Sequence, residues 1–87
     1  MPRFFFDVIN GTGLVEDDEG QELSGLAAAR DVAIEGARSI MQEDVSLGFI
    51  DLAGRVEVRD GDRQIVQRIA FREAVALRGL NAGQGVP

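Results

Sequence analysis

The side chains that could carry chemistry in this 87-residue chain are almost all carboxylates and arginines. The sequence has no histidine, cysteine, lysine, tyrosine or tryptophan. These absences exclude imidazole bases, thiolate nucleophiles, lysine Schiff bases and phenolic acids. Only carboxylate or metal-assisted chemistry remains, and we expect a protein that is not an enzyme and has no cofactor.

The densest group of carboxylates precedes the longest helical pattern and consists of Glu16, Asp17, Asp18, Glu19 and Glu22. Oxygen-rich clusters of this kind suit calcium or magnesium. The spacing, however, lacks the alternating acidic positions and the distal glutamate of a calcium loop. We therefore interpret the segment as a solvated turn near the positive N-terminal end of a helix, and we predict no metal site.

The arginines form the second chemical pattern, because they alternate with apolar residues in the predicted strands. If the apolar face packs on a helix, alternation places one set of residues together on the opposite face. The candidate partner-binding residues on that open face are Arg3, Phe5, Arg55, Arg59, Arg68 and Arg72. One interpretation is that these arginines pair with Asp7 and Glu57 and keep the face soluble. The other is that the face binds an acidic partner, including a second copy.

Net charge and hydropathy limit the partners and the location. The formal net charge of −6 disfavours nucleic acid, whose phosphates would be repelled. No stretch approaches the roughly 20 apolar residues of a membrane span, and the start of the chain does not resemble a signal peptide. We expect a cytoplasmic protein that does not bind membranes.

The Asn10-Gly11 segment resembles a hairpin turn more than a phosphate loop, because it joins two predicted strands.

The elements that position these residues follow from periodicity. Residues 24 to about 44 show helical spacing, with small residues such as Ala29, Ala33 and Ala37 on one stripe and Ser24 as the expected N-cap. Arg30 interrupts the stripe, and we expect it to reach water or pair with a carboxylate. Predicted strands at residues 3–9, 14–16, 55–59 and 64 to 72 or 73 form two hairpins on either side of the helix.

The predicted fold is therefore α+β, in the order β-β-α-β-β, with a mostly antiparallel four-stranded sheet and the helix on one face. We assign residues 1–73 to a single domain and residues 74–87 to a weakly structured or disordered tail. The fourth strand is expected to direct Ile65, Ile69 and Phe71 inward and Val66 outward. The apolar loop at residues 46–54 is expected to cover the end of the helix, with a partner subunit as the alternative cover.

Several segments can be compared with known proteins: the opening Met-Pro-Arg-Phe-Phe-Phe-Asp-Val, the Asp18-Glu19-Gly20 turn with Glu22-Leu23, the helix alanines, residues 56–60 and the strand ending at Phe71. Together they resemble a family of small bacterial proteins of unknown function. The resemblance covers residues 1–73 and supports the domain boundaries. It implies no activity and no catalytic residue.

These observations leave two functional hypotheses. The first is a small non-enzymatic protein-interaction module that uses the open arginine-bearing face or a sheet edge. The alternative is a small anion- or ligand-binding regulator or an antitoxin-like domain, which rests on analogy between small folds.

Overall fold

The computed structural model describes residues 1–11 and 13–76, and within them it forms one antiparallel sheet with one helix packed against it. The strands are β1 (Arg3–Asn10), β2 (Gly13–Val15), β3 (Gln21–Glu22), β4 (Arg55–Arg59) and β5 (Ile65–Ala70), and the helix is α1 (Leu26–Ser46). The spatial order is β2-β1-β4-β5, and β3 pairs with β1. The predicted α+β class and both hairpins are confirmed, while β3 is an addition to the predicted four strands.

The core lies between α1 and the inner face of the sheet. Its buried strand residues include Phe4, Val56, Val58 and Ile69, as the alternation of apolar residues predicts. The helix contributes residues one turn apart, Ala29, Ala33, Ala37 and Met41. The small alanine side chains allow α1 to pack closely over β4, β5 and the short 3-10 turn at Phe71–Glu73.

The ends of α1 differ from the prediction. Gly25, in an extended conformation, is the N-cap, and its carbonyl accepts the first helical bond from the N–H of Ala29 at 3.0 Å. The expectation that Ser24 caps the helix was therefore wrong. The expectation for Arg30 is confirmed, because its half-exposed side chain approaches Glu73 at 4.0 Å.

The predicted fourth strand is shorter and less regular than its sequence pattern suggests. It ends at Ala70, and Phe71 begins the 3-10 turn, so Arg72 does not lie on the strand. A register shift between Val58 and Arg59 pairs Arg59 with Ile65, and Val66 packs against the core. Val66, predicted to point outward, therefore contacts the core, and Ile65, predicted to point inward, is not among the residues that pack on it. The irregularity changes the alternation at the start of β5.

The segment after α1 covers the core less than expected. Leu52 packs against the core, but Leu47, Phe49 and Ile50 are exposed. The prediction that the whole apolar loop covers the helix end was therefore wrong.

At the C-terminal side, Ala74 is buried and Val75 packs on the core. The rest of the predicted tail, residues 77–87, lies outside the described residues. Among the described residues, no helix has the length and apolar character needed to cross a membrane.

Candidate functional site

The outer face of the sheet, opposite α1, carries two buried carboxylates. Asp7 and Glu57 are 5% and 8% exposed, and they are direct neighbours across β1 and β4. Burying two carboxylates is costly unless each has a compensating partner. Their partners are arginines, as one of the two interpretations of the sequence expects.

Three arginines surround these two carboxylates. We call the five residues together the arginine network: Asp7, Glu57, Arg55, Arg59 and Arg68. Oε2 of Glu57 accepts from Nε of Arg55 and from Nε of Arg68, each at 3.1 Å. Oδ2 of Asp7 accepts from Nε of Arg59 at 2.9 Å, and Nη2 of Arg59 lies 3.7 Å from Oε1 of Glu57. Arg59 therefore links the two carboxylates.

The network also controls the acidity of Glu57. Desolvation by burial acts to raise the pKa of this carboxyl, but the hydrogen bonds and charges of Arg55 and Arg68 outweigh it and hold the pKa below its ordinary value of 4.5. Glu57 therefore stays ionised and holds both arginines in place. Their side chains remain 46% and 63% exposed, so each presents a cationic surface to solvent.

The acidic turn completes the outer face on the side of β1. The Phe6 N–H points away from β4, between the short strands β2 and β3, and donates to Oδ2 of Asp17 at 3.0 Å. Oδ1 of Asp17 accepts from the N–H groups of Glu19 and Gly20, and the Asp17 N–H donates to Oδ1 of Asp7 at 3.0 Å. The Asp17 carboxylate thus accepts the Phe6 hydrogen bond that a neighbouring strand would otherwise accept. The Asp17 N–H joins the turn to Asp7 of the arginine network.

The environment of Asp17 changes the interpretation of the acidic turn. Desolvation acts to raise the pKa of Asp17, but the N–H donors of Gly20, Phe6 and Glu19, with the charge of Arg63, keep this pKa below its ordinary value. The turn is therefore more than a solvated approach to the helix. One of its carboxylates, that of Asp17, closes the β1 edge of the sheet by accepting the hydrogen bond of the Phe6 N–H.

Phe5 is not an exposed anchor, because it is only 8% exposed. The guanidinium carbon of Arg63 lies 4.1 Å from the centre of its ring, at cation–π distance. On Gly20 an added Cβ would come within 2.8 Å of the same ring, so only a glycine leaves room there. Sequence reasoning missed Arg63, since alternation makes no statement about a turn residue with a positive φ of 64°.

The remaining predicted site residues lie elsewhere. Arg3 donates to the carbonyl of Glu19 at 2.6 Å, at the β3 edge. Arg72 lies on the 3-10 turn after β5. Of the six predicted residues, the structure therefore brings Arg55, Arg59 and Arg68 into one cluster.

The two edges of the sheet differ. The β1 edge is occupied by β2, Asp17 and β3, whereas no strand within residues 1–11 and 13–76 pairs with the outer edge of β5. The Phe71 N–H donates to the Gly54 carbonyl on the β4 side, and the Ala70 N–H turns outward to Oε1 of Glu73. Because backbone groups alternate in direction along a strand, the N–H and carbonyl of Arg68 also point to the outer edge.

An open antiparallel α+β domain with a charged outer face is a class of small protein that many functions share. The chain belongs to the family DUF6894, a domain of unknown function whose model matches residues 3–72. No curated protein and no solved structure matches the chain. The family assignment agrees with the resemblance to proteins of unknown function and brings no activity with it.

Proposed function

We propose that this protein is a small non-enzymatic interaction module that binds an extended acidic segment of a partner protein by strand addition to β5. The observation that carries the proposal is the position of Arg68. This residue directs its backbone to the outer edge of β5 and its 63% exposed side chain to the outer face. One residue can therefore contribute both backbone and charge contacts to a bound strand.

The backbone geometry supports strand addition on this side of the sheet. β5 has six residues, whereas β2 and β3 have three and two. An unpaired strand edge offers a row of hydrogen-bonding groups to an extended peptide. At the opposite edge, the carboxylate of Asp17 already occupies the N–H of Phe6. The β5 edge is thus the better site for an added strand.

The charge of the outer face favours an acidic segment. Nε of Arg68 is bound to Glu57, which fixes the guanidinium near the edge while most of the side chain remains in water. Fixed guanidinium groups pair well with carboxylates. Pairing of β5 with its own copy in the symmetric register centred on Arg68 would place two Arg68 side chains together, and this repulsion disfavours self-association by that route.

The test uses a fluorescent peptide of alternating valine and glutamate and measures binding by anisotropy at two salt concentrations. We expect saturable, salt-sensitive binding and a shift of the Arg68 amide in NMR spectra. A valine–lysine peptide is the charge control. A valine–glutamate peptide with every backbone amide N-methylated keeps the charge but has no N–H to donate on either edge, and we expect it not to bind.

Two variants with the same change in net charge locate the site. Arg68→Ala removes the fixed cation at the β5 edge, and Arg3→Ala removes an exposed cation at the opposite edge. We expect a loss of about tenfold or more for Arg68→Ala and little change for Arg3→Ala. Equal losses of affinity for Arg68→Ala and Arg3→Ala would show that strand addition at β5 is not the mode of binding. Equal affinities of the N-methylated and unmethylated valine–glutamate peptides would show the same.

A further inference from the structure

The last turn of α1 and the segment directly after it carry exposed apolar side chains that are close together in sequence. We call this group the apolar tip: Val45, Leu47, Phe49 and Ile50, which are 57%, 70%, 51% and 45% exposed. Single exposed apolar residues are normal, but four within six positions form a patch of the kind that marks interaction sites. The tip lies on a different element from the β5 edge.

Hydrogen bonds fix the backbone of the tip. The Gly48 N–H donates to the Val45 carbonyl at 2.9 Å, and the Phe49 N–H donates to the Asp44 carbonyl at 3.1 Å. With Gly48 at a φ of 98°, these bonds form a Schellman motif. The apolar side chains therefore project from a defined helix terminus.

The chain after the tip is held as well. Oδ2 of Asp51 accepts from the Gly11 N–H in the β1–β2 turn at 2.9 Å, and Oδ1 accepts from the Ala53 N–H at 2.9 Å. Leu52 then returns to the core. Because both ends of the segment are anchored, a partner would bind it with a small loss of backbone entropy.

The charges around the tip indicate the chemistry of its partner. The last turn of α1, residues 43–46, contains Glu43 and Asp44 and no basic residue. Carboxylates at a helix C-terminus are unfavourable, because they add to the negative end of the helix dipole. A cation beside the tip would relieve this repulsion while apolar contacts cover the exposed side chains.

We propose that the apolar tip binds a basic, apolar segment of a partner protein, in which leucine-like side chains alternate with lysine or arginine. A second copy is disfavoured, since a symmetric contact would bring two negative helix ends together. An anionic membrane surface is disfavoured by the same charges. This site is independent of the proposed β5 edge, which takes a segment of opposite charge.

The experiment titrates the full chain with a fluorescent amphipathic peptide of leucine and lysine and maps the contact by NMR. We expect saturable binding with shifts confined to the tip and the last turn of α1. A leucine–glutamate peptide and a serine–lysine peptide are the matched controls, and each should bind at least about tenfold more weakly.

Variants separate the tip from other exposed apolar surface. Leu47→Ser with Phe49→Ser should weaken the leucine–lysine peptide by about tenfold or more, because it removes the centre of the patch. Leu14→Ser with Val15→Ser changes two exposed residues of β2 and should leave binding unchanged. Glu43→Gln with Asp44→Asn should reduce the salt dependence of binding.

The opposite results would overturn the proposal. Equal binding of the serine–lysine peptide would show a non-specific charge effect. Unchanged binding by the Leu47→Ser, Phe49→Ser variant would place the contact elsewhere. Self-association that these two substitutions abolish, without peptide binding, would assign the tip to a second copy of the chain.

Discussion

At the residue scale, two glycines should respond in opposite ways to the same substitution. An added Cβ on Gly54 would lie 2.4 Å from a ring carbon of Phe71, which is fully buried, whereas Gly36 is exposed in α1 with no atom within 4 Å of an added Cβ. We expect Gly54→Ala to destabilise the fold by about 1–3 kcal/mol through overpacking. Gly36→Ala should stabilise it by about 0.5–1 kcal/mol. Urea denaturation measures both, and a stabilising Gly54→Ala would contradict the close packing of Gly54 against the Phe71 ring.

Asp17 offers a second prediction at this scale. Asp17→Ala leaves the N–H groups of Phe6, Glu19 and Gly20 without their acceptor and should cost about 1–3 kcal/mol. Asp17→Asn keeps one acceptor oxygen, so its free energy of unfolding should lie between those of the natural chain and Asp17→Ala. Asp18→Ala, in the same turn but exposed, is the control and should change the free energy of unfolding by less than about 0.5 kcal/mol. Similar losses for Asp17→Ala and Asp18→Ala would argue against the closing role of Asp17.

At the element scale, the sequence predicts what depends on periodicity. The alanine stripe of α1 and the alternation in β1 and β4 identify the core face, and the same alternation places Arg55, Arg59 and Arg68 together. The features it does not predict depend on local hydrogen bonds or on contacts distant in sequence. They include the register shift between Val58 and Arg59 that leaves Val66 unpaired, the carboxylate of Asp17 beside Phe6, and the stacking of Arg63 on Phe5. None of these leaves a repeating pattern in the sequence.

The N-terminus of α1 provides a prediction for an element. Gly25 is the N-cap, it makes no side-chain cap, and the first turn has no acidic residue. An added Cβ there would meet no atom within 4 Å. Gly25→Asp should therefore stabilise the fold by about 0.5–1 kcal/mol, because its carboxylate caps a free N–H and complements the helix dipole. Gly25→Ala is the matched control without an acceptor. Thermal unfolding that ranks Ala equal to or above Asp would rule out capping as the cause.

At the scale of the whole molecule, the chain separates two surfaces of opposite chemistry. The β5 edge presents the fixed cation of Arg68, and the apolar tip lies beside Glu43 and Asp44. The hydrogen bond from Gly11 to Asp51 and the packing of Leu52 attach the tip to the same sheet that carries Arg68. The proposed sites are therefore held on one framework and should bind different segments. In separate titrations, Arg68→Ala should weaken only the valine–glutamate peptide, and Leu47→Ser with Phe49→Ser should weaken only the leucine–lysine peptide.

The pH dependence of stability tests the outer face as a unit. Asp17 and Glu57 both have a pKa below the ordinary value, so the unfolded chain binds more protons than the native one as the pH falls. The stability that they contribute is present above about pH 4.5 and is lost as the pH falls through their native pKa values. Falling pH also reduces the net charge of −6 and its self-repulsion, which acts in the opposite direction.

A comparison with Glu57→Gln separates these two effects, because the variant keeps nearly the same net charge but lacks the ionised partner of Arg55 and Arg68. We expect it to be less stable than the natural chain at neutral pH and to lose less stability between about pH 5 and pH 3. Urea denaturation across that range measures the difference. Parallel pH profiles for the two proteins would mean that the arginine network does not favour the ionised Glu57, and the fixed position of Arg68 at the β5 edge would lose its physical basis.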